Sequence, residues 1–313
     1  MNSIPVKKII IAYPHGFCAG VVRAVQTAEK ALERYGKPVY CLNELVHNEL
    51  VVRDLRSKGI KFVKHISEIP ESSVVILSAH GVPPSVKQMA ADRKLVVLDA
   101  TCPFVEKIHS KVKQFSAKGY NIFVIGHHSH AEIVGITGEA PANIKVLCSV
   151  EEAKTIQPIT NNRLSTVVTQ TTLSVTEANK IISILKKRFP YITTQNTKDI
   201  CYATENRQKA VQLLCGKSDL IIILGSKKSS NTRRLQEIAE DNTSAPVVMV
   251  SSMNDLKKLD LTGKTSIGLT AGASTPETFV EEILDALGQS GFTRREKLEA
   301  AKEKVSLKLP PNL

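Results

Sequence analysis

Apolar residues along this chain fall in short β-branched runs, each followed by a polar loop from which a helical stretch departs. Ile9-Ile10-Ile11 runs into Pro14-His15-Gly16-Phe17-Cys18, and Val39-Tyr40-Cys41-Leu42 into Asn43-Glu44-Leu45-Val46-His47. Val74-Val75-Ile76-Leu77 precedes Ser78-Ala79-His80-Gly81, and Val96-Val97-Leu98 precedes Asp99-Ala100-Thr101-Cys102-Pro103. Ile122-Phe123-Val124-Ile125 leads to Gly126-His127-His128-Ser129-His130, and Val167-Val168 to Thr169-Gln170-Thr171-Thr172. Leu220-Ile221-Ile222-Ile223-Leu224 leads to Gly225-Ser226-Lys227-Lys228-Ser229-Ser230-Asn231, and Ile267-Gly268-Leu269 to Thr270-Ala271-Gly272-Ala273-Ser274. Strand runs that are apolar throughout and alternate with helices predict an α/β fold of parallel sheets covered on both faces. In such sheets ligands gather beyond the carboxyl ends of the strands. Eight loops carrying Cys, His, Ser, Thr or Asn at that end predict a single convergent site.

The 313 residues exceed one ordinary hydrophobic core. The spacing predicts three pseudo-repeated α/β units of roughly 90 residues with small, mostly parallel sheets. The breaks fall near Cys102 and Lys198. The expected division is a strand segment at 1–17 joining the third unit, then units at 18–102, 103–198 and 199–288, then a tail at 289–313. A basic stretch opens that tail at Arg294.

The 42% apolar and 23% charged content is that of a soluble globular protein. No apolar run approaches the roughly eighteen residues of a membrane span. The short run after Lys7-Lys8 suits a buried strand better than a signal-peptide core, so the cytoplasm is the expected location. The net charge, 42 basic minus 30 acidic residues, is +12. Its basic residues are scattered and aromatics make up only 4%, which argues against nucleic acid and leaves a small polyanion or an acidic protein as the partner.

Six cysteines stand at positions 18, 41, 102, 148, 201 and 215, with no C-x-x-C pair. Cys41, Cys148 and Cys215 read as small packing residues. Cys18, Cys102 and Cys201 each precede a predicted helix, whose start favours the thiolate. Three such thiolates suit a metal or a cluster; three unrelated buried cysteines are the other reading. His47, His80 and His130 each follow a strand and suit either zinc or an anion. Ser229-Ser230-Asn231 reads as an N-cap cluster or a phosphate seat. Ser274 offers the same choice, with Thr275-Pro276-Glu277 completing an expected capping box. Glu132, in a polar loop after His130, is a solvated surface group or a proton donor. Thr171 and Thr172 orient that proton or cap the next helix.

As a set, these segments resemble the 4-hydroxy-3-methylbut-2-enyl diphosphate reductases. The matching strings are Gly16-Phe17-Cys18-Ala19-Gly20, Leu45-Val46-His47-Asn48, Ser78-Ala79-His80-Gly81 and Asp99-Ala100-Thr101-Cys102-Pro103. Thr169-Gln170-Thr171-Thr172-Leu173-Ser174, Asp199-Ile200-Cys201-Tyr202-Ala203-Thr204, Gly225-Ser226-Lys227-Lys228-Ser229-Ser230-Asn231 and Thr270-Ala271-Gly272-Ala273-Ser274 continue in order. The resemblance implies three α/β units around a central cavity and reductive dehydroxylation of the allylic diphosphate to isopentenyl and dimethylallyl diphosphate. It implies one 4Fe-4S cluster on Cys18, Cys102 and Cys201, with one iron open to the substrate hydroxyl. It implies Glu132 as proton donor with Thr171 in the relay. The diphosphate would be held by His47, His80, His130, Ser229, Ser230, Asn231 and Ser274, with Thr171 and Thr172 alongside. Ferredoxin or flavodoxin is the implied electron donor, with no nucleic acid and no membrane involved. Ala131 stands where many relatives carry proline, which leaves the stiffness of the Glu132 loop open. A zinc hydrolase built on the three histidines, and an iron–sulfur sensor that binds nucleic acid, are the rival readings.

Overall fold

The computed structural model describes residues 7–160, 164–194 and 198–313, so the first part of the segment expected at 1–17 lies outside the described residues. The sheet system opens with β1 (Lys8–Tyr13). Next, β2 (Val39–Leu42), β3 (Ile60–Val63), β4 (Val74–Leu77) and β5 (Val96–Asp99) form a sheet in the order β3-β2-β4-β5. A second four-stranded sheet takes β6 (Asn121–Ile125), β7 (Ile144–Leu147), β8 (Ser165–Thr169) and β9 (Ile192–Thr194) in the order β7-β6-β8-β9. Finally β10 (Leu220–Leu224), β11 (Val247–Val250), β12 (Ser266–Ala271) and β13 (Arg294–Glu299) join β1 as β11-β10-β12-β1-β13. Every pairing is parallel. The chain is thus α/β with three small parallel sheets, as the hydrophobic pattern predicts.

Side-chain alternation explains why these strands read as unbroken apolar runs. Ile9 and Ile11 of β1 enter one core with Leu220, Ile222, Leu224, Ile267 and Leu269. Ile10 and Ala12 point to the opposite core with Ile221, Ile223, Ala210 and Leu235. The β6–β8 pair does the same, with Phe123, Ile125 and Val167 on one face and Ile122, Val124 and Val168 on the other. Full burial of each such side chain is worth about 1.5–3 kcal/mol, so a polar substitution on either face would be costly.

The structure adds β3, β7, β9, β11 and β13 to the eight strands that the pattern marks. All five lie at sheet edges. An edge strand buries less, so its sequence need not be continuously apolar. The extreme case is β13, Arg-Arg-Glu-Lys-Leu-Glu, which pairs with β1 over six residues although its composition reads as a basic tail.

Two compact units are present. One gathers the described residues up to Ala19, His47–Val51 and Tyr202–Ser306, and is built on the five-stranded sheet. The other gathers Gly20–Val46, Val52–Cys201 and Leu307–Leu313, and is built on the two four-stranded sheets. Among the described residues no helix is long and apolar enough to cross a membrane.

Candidate functional site

In the five-stranded unit, β10, β12 and β1 are consecutive neighbours, so their carboxyl ends deliver three loops side by side. The loop after β1 is laced to the loop after β12: the Gly16 N–H donates to Ala271 O at 3.3 Å and the Cys18 N–H to Ala273 O at 3.1 Å. Cys18, half-buried, directly precedes the helix Ala19–Tyr35. Ser229 caps the helix Ser230–Asn242 by accepting from the Thr232 N–H. Gly225 opens that loop at φ +143°, and a Cβ there would stand 2.7 Å from Thr232 Oγ1. Ser230, Asn231 and Ser274 are buried around this helix start and the neighbouring loop. Neither polar atom of the Asn231 amide has a hydrogen-bond partner among the described residues. The expected capping box at Ser274 is absent. The helix Glu277–Gln289 has Pro276 at its N-cap, so Ser274 lies too far upstream, and its hydroxyl donates to His47 O at 3.2 Å instead. A helix start with serine hydroxyls and an unpartnered buried amide is suited to an anion rich in acceptor oxygens.

In the other unit, β6 and β8 are neighbours and their loops meet in a buried, hydrogen-bonded polar cluster. Glu132 is not in a solvated loop. It lies in the first turn of the helix Ala131–Thr137 and is 2% exposed. Its Oε1 accepts from the Thr171 N–H at 2.7 Å and its Oε2 from the Thr171 hydroxyl at 2.8 Å. Burial pushes the Glu132 carboxyl up to about 7, with the two Thr171 donors pulling the other way. At neutral pH both its protonated and its ionised forms are therefore populated, as suits a general acid working there. Thr171 does not cap the following helix; Ser174 does that by accepting from the Glu177 N–H. Gln170 braces the pocket, accepting from the His127 N–H and donating to Thr172 Oγ1. His130 caps the Glu132 helix through Nδ1, which accepts from the Glu132 N–H at 3.2 Å. Ala131 is the first helical residue, where proline and alanine are both accommodated; the cap, not proline, fixes the turn here.

The same unit places His80 after β4 and Cys102 after β5, again on neighbouring strands. The Cys102 N–H donates to Ala79 O at 3.0 Å, and Cys102 is the N-cap residue of the helix Pro103–Ala117. The His80 and His130 rings meet edge to face, 5.7 Å between centroids. Gly81 holds φ +79°, and a Cβ there would strike His109 Nε2 at 2.7 Å. Cys201 is tied to the acid pocket, its N–H donating to Thr171 O at 3.2 Å. It immediately precedes the helix Tyr202–Leu214.

Within the five-stranded unit, then, the structure brings together Cys18, Ser229, Ser230, Asn231, Ser274 and His47. Within the other it gathers Glu132, Thr171, Thr172, His130 and His80, with Cys201 hydrogen-bonded to Thr171 and Cys102, on the loop after β5, hydrogen-bonded to Ala79 beside His80. Each of the three singled-out cysteines is half-buried and stands at a helix start. This donor set fits a soft-metal or cluster ligand role. Cys41 is fully buried, and burial pushes its thiol far up, as a packing cysteine requires. Cys215 bonds back to Val211 O. Cys148 is more than packing: it is half-exposed and its thiol donates to Glu152 Oε1 at 3.3 Å.

Two buried arginines escape the sequence reading. Arg207 is fully buried, donates through Nε and Nη2 to Gly16 O, just before Cys18, and pairs with Glu303 at 3.1 Å. Arg23 donates to Thr101 O, just before Cys102, and to Asp99 O and Lys308 O. Each clamps the carbonyls that lead into a cysteine. The only signal is an arginine on the buried stripe of a helix, such as Arg23 among Gly20, Val21, Ala24 and Thr27. His15 was also missed; burial first, then Arg207 and Lys297, hold its imidazole down at about 4 and therefore neutral.

A family model described as LytB protein matches residues 9–288. The chain is 44% identical over 310 residues to a protein of Acidothermus cellulolyticus called 4-hydroxy-3-methylbut-2-enyl diphosphate reductase, covering 99% of this chain and 91% of that one. It is 45% identical to the Bradyrhizobium diazoefficiens protein called 4-hydroxy-3-methylbut-2-enyl diphosphate reductase 1, over 99% and 97% of the two chains. The solved structure of the E-1-hydroxy-2-methyl-but-2-enyl-4-diphosphate reductase from Plasmodium falciparum superposes with a TM-score of 0.93 at 35% identity, covering 98% of this chain and 97% of that chain.

Proposed function

We propose, on the premise that the chain belongs to the LytB protein family and is an oxidoreductase of the 4-hydroxy-3-methylbut-2-enyl diphosphate reductase type, that it converts that diphosphate to both isopentenyl and dimethylallyl diphosphate. The observation that carries the chemistry is the buried Glu132 carboxyl, poised near neutrality by burial and gripped at both oxygens by Thr171.

The balance of the reaction sets what the protein must supply: two electrons and two protons enter, and water leaves. Glu132 holds the proton that departs with the substrate hydroxyl, and Thr171 fixes the carboxyl that carries it. The second proton ends on one or other terminus of the allylic carbons, which gives the two products. Cys18, Cys102 and Cys201 would hold a 4Fe-4S cluster, which when bound supplies the electrons and a Lewis-acidic iron that three ligands leave open. His47, His80, His130, Thr172, Ser229, Ser230, Asn231 and Ser274 would hold the diphosphate. Each hydrogen bond to that charged group is worth about 1.5–3 kcal/mol, so several together fix the reacting carbon in place. The acidic carriers ferredoxin or flavodoxin suit a chain of net charge +12 as electron donors, in the cytoplasm. The proposed units at 18–102, 103–198 and 199–288 begin or end at or beside the proposed cluster thiols.

The test is anaerobic turnover of 4-hydroxy-3-methylbut-2-enyl diphosphate with an artificial one-electron reductant. Iron-loaded protein should consume it and release both products, and Glu132→Gln should bind it without releasing either. No consumption by iron-loaded wild type, or wild-type rates in the variant, would overturn the reading.

A further inference from the structure

We propose that His128, Cys148 and Glu152 form a binding site for a zinc-class divalent cation, distinct from every residue assigned above to catalysis or to substrate. A thiol sulfur, an imidazole nitrogen and a carboxylate oxygen from these residues all lie within 4.8 Å of one another. Cys148 Sγ is 3.3 Å from Glu152 Oε1, and His128 Nε2 is 4.0 Å from Glu152 Oε2. Around a tetrahedral zinc with bonds of about 2.0–2.3 Å, neighbouring ligand atoms stand roughly 3.3–3.7 Å apart. The Cys148–Glu152 pair already has that spacing. Only the His128 ring has to move in, and its side chain is 62% exposed, so no packing resists the rotation.

The topology accounts for the meeting. Strands β6 and β7 pair in parallel with Ile125 opposite Leu147. Cys148 is the first residue after β7 and His128 the third after β6, so the two loops leave one sheet end side by side. Glu152 is set in advance: its Oε2 accepts from the Cys148 N–H at 2.7 Å, and its own N–H donates to Ser149 Oγ at 3.1 Å. A helix-capping role for Glu152 explains those two bonds. It does not explain Oε1 turned to a thiol with an imidazole beside it.

One sulfur, one nitrogen and one carboxylate oxygen make a borderline-soft donor set, which selects zinc and its relatives over magnesium or calcium. The fourth position falls to water, since His128 faces solvent. On binding, the cation replaces the Cys148 thiol proton, which is released to solvent. Occupancy would tie the loop carrying His127 and His130 to the end of β7.

The experiment titrates cluster-loaded, anaerobically purified protein with Zn2+ and compares wild type with Cys148→Ser and His128→Asn. Wild type should retain one zinc per chain more than Cys148→Ser, with iron and sulfide equal in all three proteins. His128→Asn should bind zinc at least about tenfold more weakly. Zinc-edge X-ray absorption should show one sulfur at about 2.3 Å. Equal zinc in wild type and Cys148→Ser, no retained zinc in wild type, or two or more sulfurs on the metal would each overturn the site.

Discussion

The pocket between the β6 and β8 loops and the loops that follow β10 and β12 are both polar and buried, yet they differ in how far the protein satisfies its own groups. In the first, both Glu132 oxygens are bonded to Thr171 and the Gln170 amide is bonded at each end. In the second, the Asn231 amide and the Thr232 hydroxyl lack hydrogen-bond partners among the described residues, although Asn231 is 4% exposed and Thr232 fully buried. An unsatisfied buried polar group costs about 1–3 kcal/mol. A proton carrier works by being held in one place; a binding surface works by leaving its hydrogen bonds for the ligand. The contrast separates holding a proton from holding an anion, and it can be broken experimentally.

The largest effect should come from the thiols, which belong to neither hydrogen-bond set. Cys102→Ser should lose the iron and with it all turnover, while Cys148→Ser keeps its iron. Equal iron and sulfide in the two variants would remove the distinction between the cysteines at helix starts and the rest. Next in size is Glu132→Gln. The amide fits the same space and still meets Thr171, but it gives up no proton. We expect kcat to fall about 10²–10⁴-fold with KM changed only a few-fold. A rise in KM alone would assign Glu132 to binding and erase the contrast from one side.

From the other side, Asn231→Ala should raise KM by roughly 10–100-fold, the equivalent of losing one or two charged hydrogen bonds, with kcat near wild type. Because the amide has no hydrogen-bond partner among the described residues, the variant should be as stable as wild type in a denaturant titration. A destabilised Asn231→Ala with unchanged KM would show that the amide serves the fold.

How much of this was legible in the sequence follows the same physics. The central strands were, because burial on two faces leaves no room for polar residues; Ile9 to Ile11 could hardly be anything else. The edge strand β13 was not, because most of its side chains face water and its pairing with β1 rests on the backbone, joined by polar side-chain contacts such as Lys8–Glu296 that leave no apolar pattern. Single loops announced Cys18, Cys102 and Cys201 by their place before helices. The sequence offers the Glu132–Thr171 link only as one of two roles for Thr171 and by family resemblance; no local pattern shows the bond itself, since it joins residues 39 apart whose encounter depends on β6 lying beside β8. Arg207 and Gly16 lie 191 residues apart, and no local pattern announces such a clamp.

The smallest effect tests the acid pocket most finely. Glu132 must be protonated to act, and burial raises its carboxyl to about 7. Turnover should therefore be flat below that pH and fall about tenfold per unit above it, where the carboxylate predominates. The Thr171 hydroxyl donates to the carboxylate and so favours the ionised form. Thr171→Val keeps the shape and the backbone N–H donor but deletes this one hydroxyl donor. Ionisation then becomes harder, and the falling limb of the kcat profile should move to higher pH. Thr171→Ser, which restores the donor, should return the limb to its wild-type position, and Asn231→Ala should leave it there throughout. A limb that moves to lower pH in Thr171→Val would mean that another group carries the proton, because losing a donor to the carboxylate can only make Glu132 a weaker acid.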